Sequence, residues 1–343
     1  MAGIYRFSAG PWNISEGADS FGPPVRQTIA FVEKVKTLKR LGFDAVQFHD
    51  DDAVPDINTL NYQQVIEQAR QTRLILDDFG LKAEIVAPRL WEDPRTIDGS
   101  YTSNDPQARI YALERSKQTI DIAHELGTNL MVLWLAREGT YIREAKDSKV
   151  AVDLLIQAIN EMLEYDSEIR IAIEPKPNEP MDQAYLPTAG HAIALAFKTI
   201  DPDRVGVNIE SAHAILAGLD PSDEMGFALA FQKLWTVHLN DQNGLKFDED
   251  KAFGSVDLRR AFNQVRILEK YNYGQNGEYV GLDVKAMRTQ KVDVSAKHLS
   301  NSKEVFLRLV KMVRSLNNEE IDRLVTSRDY DQLDWLIVNH LLK

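Results

Sequence analysis

The chain of 343 residues contains no cysteine, which excludes disulfide bonds and thiolate metal sites. No apolar run approaches the roughly 20 residues that span a bilayer. The N-terminal segment also lacks the charged and then apolar pattern of a secretion signal. We therefore predict a soluble cytoplasmic protein that has no membrane partner.

Basic residues are outnumbered, with 40 lysines and arginines against 52 aspartates and glutamates, and the formal net charge is -12. Such a protein repels phosphate backbones, so we predict no nucleic-acid partner. A hydrophobic content of 44% is ample for a large core, and it leaves open whether one large domain or two smaller ones form.

A glycine-rich turn after the first strand is also missing. The first strand is predicted near residues 4–7, and the letters SAGPWN that follow it are not the turn of an open, nucleotide-binding sheet. Instead, an amphipathic helix, a glycine and a short apolar run follow one another repeatedly, with glycines at Gly42, Gly80 and Gly127. The other predicted strands cover residues 43–48, 81–87, 129–134, 169–173, 205–209, 234–239 and 279–282.

About eight such strand–helix units favour a closed (β/α)8 TIM barrel over an open doubly wound sheet. We predict a catalytic barrel domain over residues 1–316 and a short C-terminal helical arm over residues 317–343. The arm could pack on another subunit, or it could close the bottom of its own barrel, and the sequence leaves both arrangements open.

Polar residues follow the predicted strands where a barrel places its active site. The second strand ends in His49 and three aspartates, which indicates either a proton shuttle oriented by a carboxylate or an acidic helix cap. After the fifth strand, Glu174 and Lys176 lie two positions apart, so they point the same way on an extended chain stiffened by prolines. A surface ion pair is the alternative interpretation of that pair.

Further candidates follow the last three strands. Glu210 and His213 have the Glu-x-x-His spacing of bidentate metal sites, which is weak evidence when it stands alone. Asp248 and Asp250 can hold a hard cation from one side, and Asp283 ends the eighth strand. The combined candidate metal ligands are Glu174, Glu210, His213, His238, Asp248, Asp250 and Asp283.

Only converging strands bring these charges together, and they need cations in order to coexist. Oxygen-rich ligands with one or two imidazoles suit Mg²⁺, Mn²⁺ or Co²⁺ better than a closed zinc site. The sequence therefore predicts divalent cations at the strand ends.

Several motifs together are identified as those of the xylose isomerase family, in its shorter, actinobacterial type. FHDDD (48–52), IEPKPNEP (173–180) and QNGLKFDED (242–250) carry the resemblance, with support from SNDPQARIYAL (103–113), AGLDP (217–221) and DQLDWLIVNHLL (331–342). The resemblance covers nearly the whole chain, and it implies a metal-dependent aldose–ketose isomerase with a sugar substrate.

The resemblance also implies roles for the residues. Two divalent cations per subunit are expected, the first held by Glu174, Glu210 and Asp283 and the second by Glu210, His213, Asp248 and Asp250. His49, oriented by Asp52, would open the sugar ring, and Lys176 would hold the carbonyl oxygen at C1. The aromatic residues expected at the pocket are Trp12, Phe21, Trp91 and Trp134, with Phe21 reaching into a neighbouring subunit.

His238 departs from the family, which has an aspartate ligand of the first metal at this position. The surrounding HLND resembles L-rhamnose isomerase, whose related site uses a histidine, so His238 is expected to remain a ligand that favours Mn²⁺ or Co²⁺ over Mg²⁺. Ala87 and Pro88 replace polar residues that border the sugar, and Met287 replaces a proline. The shortened arm leaves a homotetramer or a homodimer open.

D-Xylose, converted to D-xylulose, and D-glucose, converted to D-fructose, are the first substrates expected. The alternatives are an isomerase of another aldose, such as L-rhamnose or D-ribose, and a sugar-binding homologue with reduced activity. A barrel nuclease is disfavoured because it needs a basic groove and a histidine-rich trinuclear site, whereas this chain is acidic and has seven histidines.

Overall fold

Eight parallel strands form a closed barrel in the computed structural model, which describes residues 5–19, 21–291 and 296–343. The strands are β1 (Phe7–Ala9), β2 (Ala45–His49), β3 (Lys82–Ala87), β4 (Leu130–Trp134), β5 (Arg170–Glu174), β6 (Val205–Glu210), β7 (Leu234–Leu239) and β8 (Val280–Leu282). Each strand pairs with its neighbours in chain order, and Phe7 opposite Val280 closes the ring. The predicted barrel is confirmed, although Ile4, the predicted start of β1, lies outside the described residues.

Helices cover the outside of the barrel. Their bounds are α1 (Phe31–Arg40), α2 (Asp50–Ala53), α3 (Tyr62–Phe79), α4 (Pro106–Leu126), α5 (Ser148–Tyr165), α6 (Ala189–Ala196), α7 (Ser211–Leu216), α8 (Pro221–Ala230), α9 (Leu258–Lys270), α10 (Lys297–Arg314), α11 (Asn318–Ser327) and α12 (Tyr330–Leu341). Gly80 and Gly127 end α3 and α4 in the left-handed conformation, with φ of 61° and 83°. That conformation costs glycine little, which is why the helix–glycine–strand pattern identified these boundaries.

The interior of the barrel contains an apolar cluster and a polar layer. Ile85, Ala87, Val132 and Ala172 form the apolar cluster. The polar layer consists of the buried side chains of Ser8, Gln47, Glu84 and Thr236. Gln47 and Thr236 both donate hydrogen bonds to the Glu84 carboxylate, at 3.0 and 2.8 Å, so the buried charge is paired with donors.

An indole ring, the Trp235 plug, packs against the apolar cluster at the amino-terminal end of the barrel. A Cβ on Gly206 would lie 2.3 Å from the Trp235 ring, so the ring packs directly on bare backbone. The Arg170 guanidinium lies 4.0 Å from the centre of the same ring. A cavity of about 520 Å³ outside this plug shares no lining residue with the cavity at the carboxyl ends of the strands.

The C-terminal helices α11 and α12 pack on the outer helices of their own barrel. Ile321 and Ile337 are buried in the main core, and Arg259 on α9 pairs with Asp334 at 2.6 Å. Trp335 remains exposed on α12. The division at residue 316 remains a prediction. Among the described residues, no helix has the length and apolar content to cross a membrane.

Candidate active site

A cavity of about 400 Å³ opens at the carboxyl ends of the strands. The predicted residues that line it are Trp12, His49, Trp91, Trp134, Glu174, Glu210, His213, His238, Asp248, Asp250 and Asp283. Lys176 and Asp52 lie just behind this lining, where they contact Asp248 and His49. Phe21 lies outside the cavity, with 73% of its surface exposed and its ring against Phe247.

The acidic and histidine side chains at this end of the barrel form overlapping groups, and Glu210 belongs to all of them. Within each group, one potential ligand atom from each residue lies within 4.8 Å of the others. The groups are Glu174, Glu210 and His213; Glu210, His238 and Asp283; and Glu210, Asp248 and Asp250. The second group contains part of the set expected at the first ion, without Glu174, and the third contains part of the set expected at the second ion, without His213. The first group joins residues expected at different ions.

His238 lies on β7 with its Nδ1 atom facing the carboxylates. Nδ1 is 3.2 Å from Glu174 Oε2 and 3.9 Å from Asp283 Oδ2. Burial alone would lower the pKa of His238, but the negative charges of Glu174 and Asp283 outweigh it and raise the pKa to about 9. The side chain is therefore directed into the group of ligands and is not an isolated core histidine.

Several buried polar atoms in this pocket have no hydrogen-bond partner in the described part of the chain, and they show whether the pocket fits cations. His213 Nδ1, His238 Nδ1 and Asp248 Oδ1 are buried without a hydrogen-bond partner among the described residues. Buried polar atoms are almost always paired, so several unpaired atoms around one point indicate a missing partner. Carboxylate oxygens and imidazole nitrogens are suitable ligands for Mg²⁺, Mn²⁺ or Co²⁺, so the residues present fit the expected ions.

The carboxylates repel one another strongly in this arrangement. Burial and the charges of Asp248 and Glu174 raise the pKa of Glu210 well above its ordinary value. Burial and the charge of Asp248 likewise raise the pKa of Asp250 to about 8. Divalent cations would remove this cost, because they offset the charge that each carboxylate imposes on its neighbours.

Two lysines partly offset the same charges. The Lys176 Nζ lies 2.9 Å from Asp248 Oδ2 and 4.9 Å from the centre of the Trp134 ring. Lys285, whose role the sequence did not indicate, forms an ion pair with Asp250 and lines the cavity. Its position two residues after Asp283 was the signal that could have identified it.

Two asparagines that sequence reasoning missed hold the carboxylates in place. Asn208 donates to Glu174 Oε2 at 2.6 Å. Asn240 donates to Glu210 Oε1 at 2.9 Å and to Asp250 Oδ1 at 3.1 Å. Each asparagine lies two positions from a candidate ligand on the same strand or strand end, so the alternation of side chains along a strand could have identified it.

His49 lies on the opposite side of the cavity, at the end of β2. Its Nδ1 is 2.9 Å from Asp52 Oδ2 and 2.6 Å from Arg89 Nη2. Nδ1 cannot donate to Asp52 and accept from Arg89 at the same time, so the position of one proton decides which contact is a hydrogen bond. Arg89 was not identified from the sequence, because its partners lie about 40 residues earlier in the chain.

The three successive aspartates of this segment each have a different partner. Asp50 is buried and paired with Arg115, Asp51 accepts from Arg89, and Asp52 accepts from the His49 backbone. Burial would raise the pKa of Asp52, but the hydrogen bond and charge of His49 and the charge of Arg89 outweigh it and lower the pKa. The repulsion expected from the sequence is thus offset locally.

Aromatic rings cover the wall between His49 and Lys176. The centres of the His49 and Trp12 rings lie 4.2 Å apart, and Trp91 packs edge-on against Trp134 at 4.5 Å. Trp12 Nε1 donates to Asp283 Oδ1 at 2.9 Å, which links the wall to the candidate metal ligands. This arrangement provides an apolar surface beside a strongly charged one.

Comparison with known proteins agrees with the motifs. Residues 35–278 match the model of a family described as xylose isomerase-like TIM barrel. A protein named xylose isomerase, from Thermus thermophilus, is 36% identical over 291 residues, which cover 83% of this chain and 74% of that protein.

Solved structures show the same fold at low identity. D-psicose 3-epimerase from Clostridium cellulolyticum H10, solved with D-tagatose, has a TM-score of 0.62 and 13% identity over 90% of this chain and 99% of that one. A 3-keto-D-glucoside 4-epimerase from E. coli has a TM-score of 0.63 and 13% identity over 88% of this chain and all of that one. At this identity the likeness concerns the fold alone.

Proposed function

Because the chain belongs to the family of xylose isomerase-like TIM barrels, we propose that it is a metal-dependent aldose–ketose isomerase. The observation that carries the proposal is the placement of Glu210, which is shared by every group of candidate ligands, across one cavity from His49. An acid–base group on one side and ligands for two cations on the other side are what this reaction requires.

Two divalent cations would be held by residues of this chain. Glu174, Glu210, His238 and Asp283 would hold the first, and Glu210, His213, Asp248 and Asp250 would hold the second. When bound, the cations polarise the sugar carbonyl and stabilise the negative charge that develops on an oxygen.

The side chains around the cavity would do the rest of the chemistry. His49 moves a proton from the anomeric hydroxyl to the ring oxygen and so opens the sugar ring, while Asp52 holds the imidazole. Lys176 donates a hydrogen bond to the carbonyl oxygen at C1. Trp12 and Trp134 keep water away, which favours transfer of hydrogen between C1 and C2 as a hydride over exchange with solvent.

The expected substrates are D-xylose first and D-glucose next. L-Rhamnose and D-ribose are the alternatives, because His238 and Ala87 alter the ligands and the lining relative to the family pattern. A sugar-binding homologue with reduced activity is the remaining alternative.

A panel of aldoses tests the proposal. Each sugar is incubated with Mg²⁺, Mn²⁺ or Co²⁺, before and after chelation, and the ketose formed is measured. We expect ketose from at least one aldose, loss of activity on chelation, and retention at C1 of deuterium supplied at C2. Release of that deuterium into water would contradict the hydride transfer, and no ketose from any aldose with any of the three cations would favour the sugar-binding homologue with reduced activity.

Substitutions of His238 test its role as a ligand. His238→Ala should weaken binding of one cation, whereas His238→Asp should keep binding and shift the preference from Mn²⁺ or Co²⁺ towards Mg²⁺, because a carboxylate oxygen replaces an imidazole. Calorimetric titration of each cation measures both effects. Unchanged affinity in His238→Ala would remove His238 from the ligand set.

We also propose a cytoplasmic homo-oligomer, a tetramer or a dimer. Phe21 would reach into the cavity of a neighbouring subunit, which would suit its high exposure. Sedimentation of the full chain gives the oligomer size. Phe21→Ser should raise KM or weaken the assembly, and an unchanged KM in an unchanged assembly would contradict the role of Phe21.

A further inference from the structure

Both ring nitrogens of His238 are buried without a hydrogen-bond partner among the described residues. A cation held with Glu174 and Asp283 would account for Nδ1, which faces those carboxylates. It would not account for Nε2, because one ion binds one nitrogen of the ring. A neutral imidazole that binds through Nδ1 carries its proton on Nε2, and that proton needs an acceptor.

The Cδ2 atom of the His238 ring lies beside the bare backbone of Gly281 on β8. A Cβ on Gly281 would lie 3.0 Å from His238 Cδ2 and 2.5 Å from Gln47 Nε2. Cδ2 is bonded to Nε2, so this edge of the imidazole and the amide of Gln47 lie beside the same glycine. The missing side chain at Gly281 therefore brings a strand-β2 residue close to a strand-β7 ligand.

The Gln47 amide has a defined orientation. Its NH₂ group donates to Ser8 Oγ at 3.2 Å and to Glu84 Oε2 at 3.0 Å. The Glu84 carboxylate also accepts from Thr236, so it acts as an acceptor and the NH₂ end of Gln47 must face it. The other end of the amide, Oε1, is buried without a partner among the described residues.

We propose that Gln47 is a positioning residue for His238. Its amide oxygen accepts the Nε2 proton through one bridging water molecule, since the two atoms make no direct hydrogen bond, and thereby keeps the Nδ1 lone pair directed at the cation. The inference rests on the proposed function, since it takes His238 to be a ligand. Gln47 itself does not line the cavity, and Glu84 and Ser8 fix its orientation from the barrel interior.

Binding of Mn²⁺ to the full-length protein tests the inference without an activity assay. Partners of metal-bound histidines typically contribute 10–100-fold in affinity, so Gln47→Leu should weaken one Mn²⁺ site by about that factor. In the His238→Asp background there is no Nε2 proton, and Gln47→Leu should change the affinity less than about threefold. Thr236→Val removes the other donor to Glu84, and Thr236 makes no hydrogen bond to the His238 ring, so this variant is the matched control and should also have a small effect.

The outcomes separate the two proposals. If Gln47→Leu lowers Mn²⁺ affinity equally in the unaltered protein and in the His238→Asp protein, Gln47 has a general structural role and the inference is overturned. An unchanged Mn²⁺ affinity in both proteins would also overturn it. If His238→Ala leaves Mn²⁺ affinity unchanged, the ligand set of the proposed function fails instead. If His238→Ala weakens binding and Gln47→Leu does not, the inference alone fails.

Nuclear magnetic resonance of the unaltered protein gives a second test that needs no variant to fold. Histidines are labelled with ¹⁵N, and the protein is saturated with diamagnetic Mg²⁺. We expect His238 to carry its proton on Nε2, with slow exchange against solvent because the proton is hydrogen-bonded and buried. A proton on Nδ1 in the Mg²⁺-saturated protein would overturn the inference.

Discussion

The two halves of the cavity differ in how completely their polar atoms are paired. On the half built by β1–β4, the aspartates after His49 are each matched with an arginine or with the histidine itself. On the half built by β5–β8, His213, His238 and Asp248 each keep at least one buried atom without a partner among the described residues. The aspartates of the first half are paired within the chain, whereas the second half keeps buried candidate-ligand atoms that still need partners.

This difference indicates which half depends on ions. The His49 half should hold its geometry in a metal-free protein, because its pairs are made within the chain. The Glu210 half concentrates negative charge that its own lysines only partly offset, so its geometry and its chemistry should both depend on cations. The predictions below test this contrast, beginning with the change that should have the largest effect.

Glu210→Gln should have the largest effect, because it removes the carboxylate common to every ligand group. We expect kcat/KM to fall by about 10⁴-fold, equal to 5–6 kcal/mol of transition-state stabilisation, with loss of binding of both cations. Steady-state kinetics and Mn²⁺ titration measure the two effects.

Glu249→Gln is the control. Glu249 lies between the candidate ligands Asp248 and Asp250 in the loop after β7, but it pairs with Lys246 and Lys251 instead. It should leave the affinity for both cations unchanged. A similar loss of activity in both variants would mean that Glu210→Gln acts by displacing the loop after β7 and not by removing a shared ligand.

His49→Asn should have a smaller effect and should leave cation binding unchanged. Loss of a general acid–base group typically costs 10²–10⁴-fold, and we expect about 10³-fold in kcat with a cyclic aldose. A three-carbon aldose that cannot close a five- or six-membered ring does not need ring opening, so its turnover should fall much less. An equal fall for both sugars would assign His49 to a different step.

Asp52→Asn should have the smallest effect, a loss of about 2 kcal/mol in the free energy of unfolding at pH 7, typical of a hydrogen bond to a charged group. The pKa of Asp52 is lowered in the folded protein, so its contribution is present above the unfolded value of about 3.9 and is lost only as the pH falls below it. The difference between the variant and the unaltered protein, measured by urea unfolding, should therefore be constant from pH 7 to about pH 4.5.

Asp51→Asn provides the comparison for that measurement. Burial raises the pKa of Asp51 despite the charge of Arg89, so its ionised form is disfavoured in the fold and a neutral amide should cost less at pH 7. A larger loss in the free energy of unfolding for Asp51→Asn than for Asp52→Asn would contradict the conclusion that the fold favours the ionised form of Asp52 and disfavours that of Asp51.

The sequence predicted the barrel and the gathering of Glu174, Glu210 and Asp283, because strand ends are regular and a closed parallel barrel brings them to one edge. It did not predict Arg89 or Arg115, since a long-range ion pair leaves no periodic signal near either partner. It also did not predict that Gln47 lies close to His238, because the two residues approach beside Gly281, a glycine on a third strand. Phe21, placed in a neighbour's pocket by resemblance, lies exposed on the single chain, so its role remains a prediction.

The Trp235 plug at the amino-terminal end of the barrel has a consequence for the order of events in turnover. This indole ring, packed on Gly206, lines the cavity at the amino-terminal end, which shares no lining residue with the cavity that contains the candidate ligands. We therefore expect ions and sugar to enter and leave through the same mouth, at the carboxyl ends of the strands. A sugar that fills this mouth would hold the ions behind it, and the dissociation rate of the cations would fall as the sugar concentration rises.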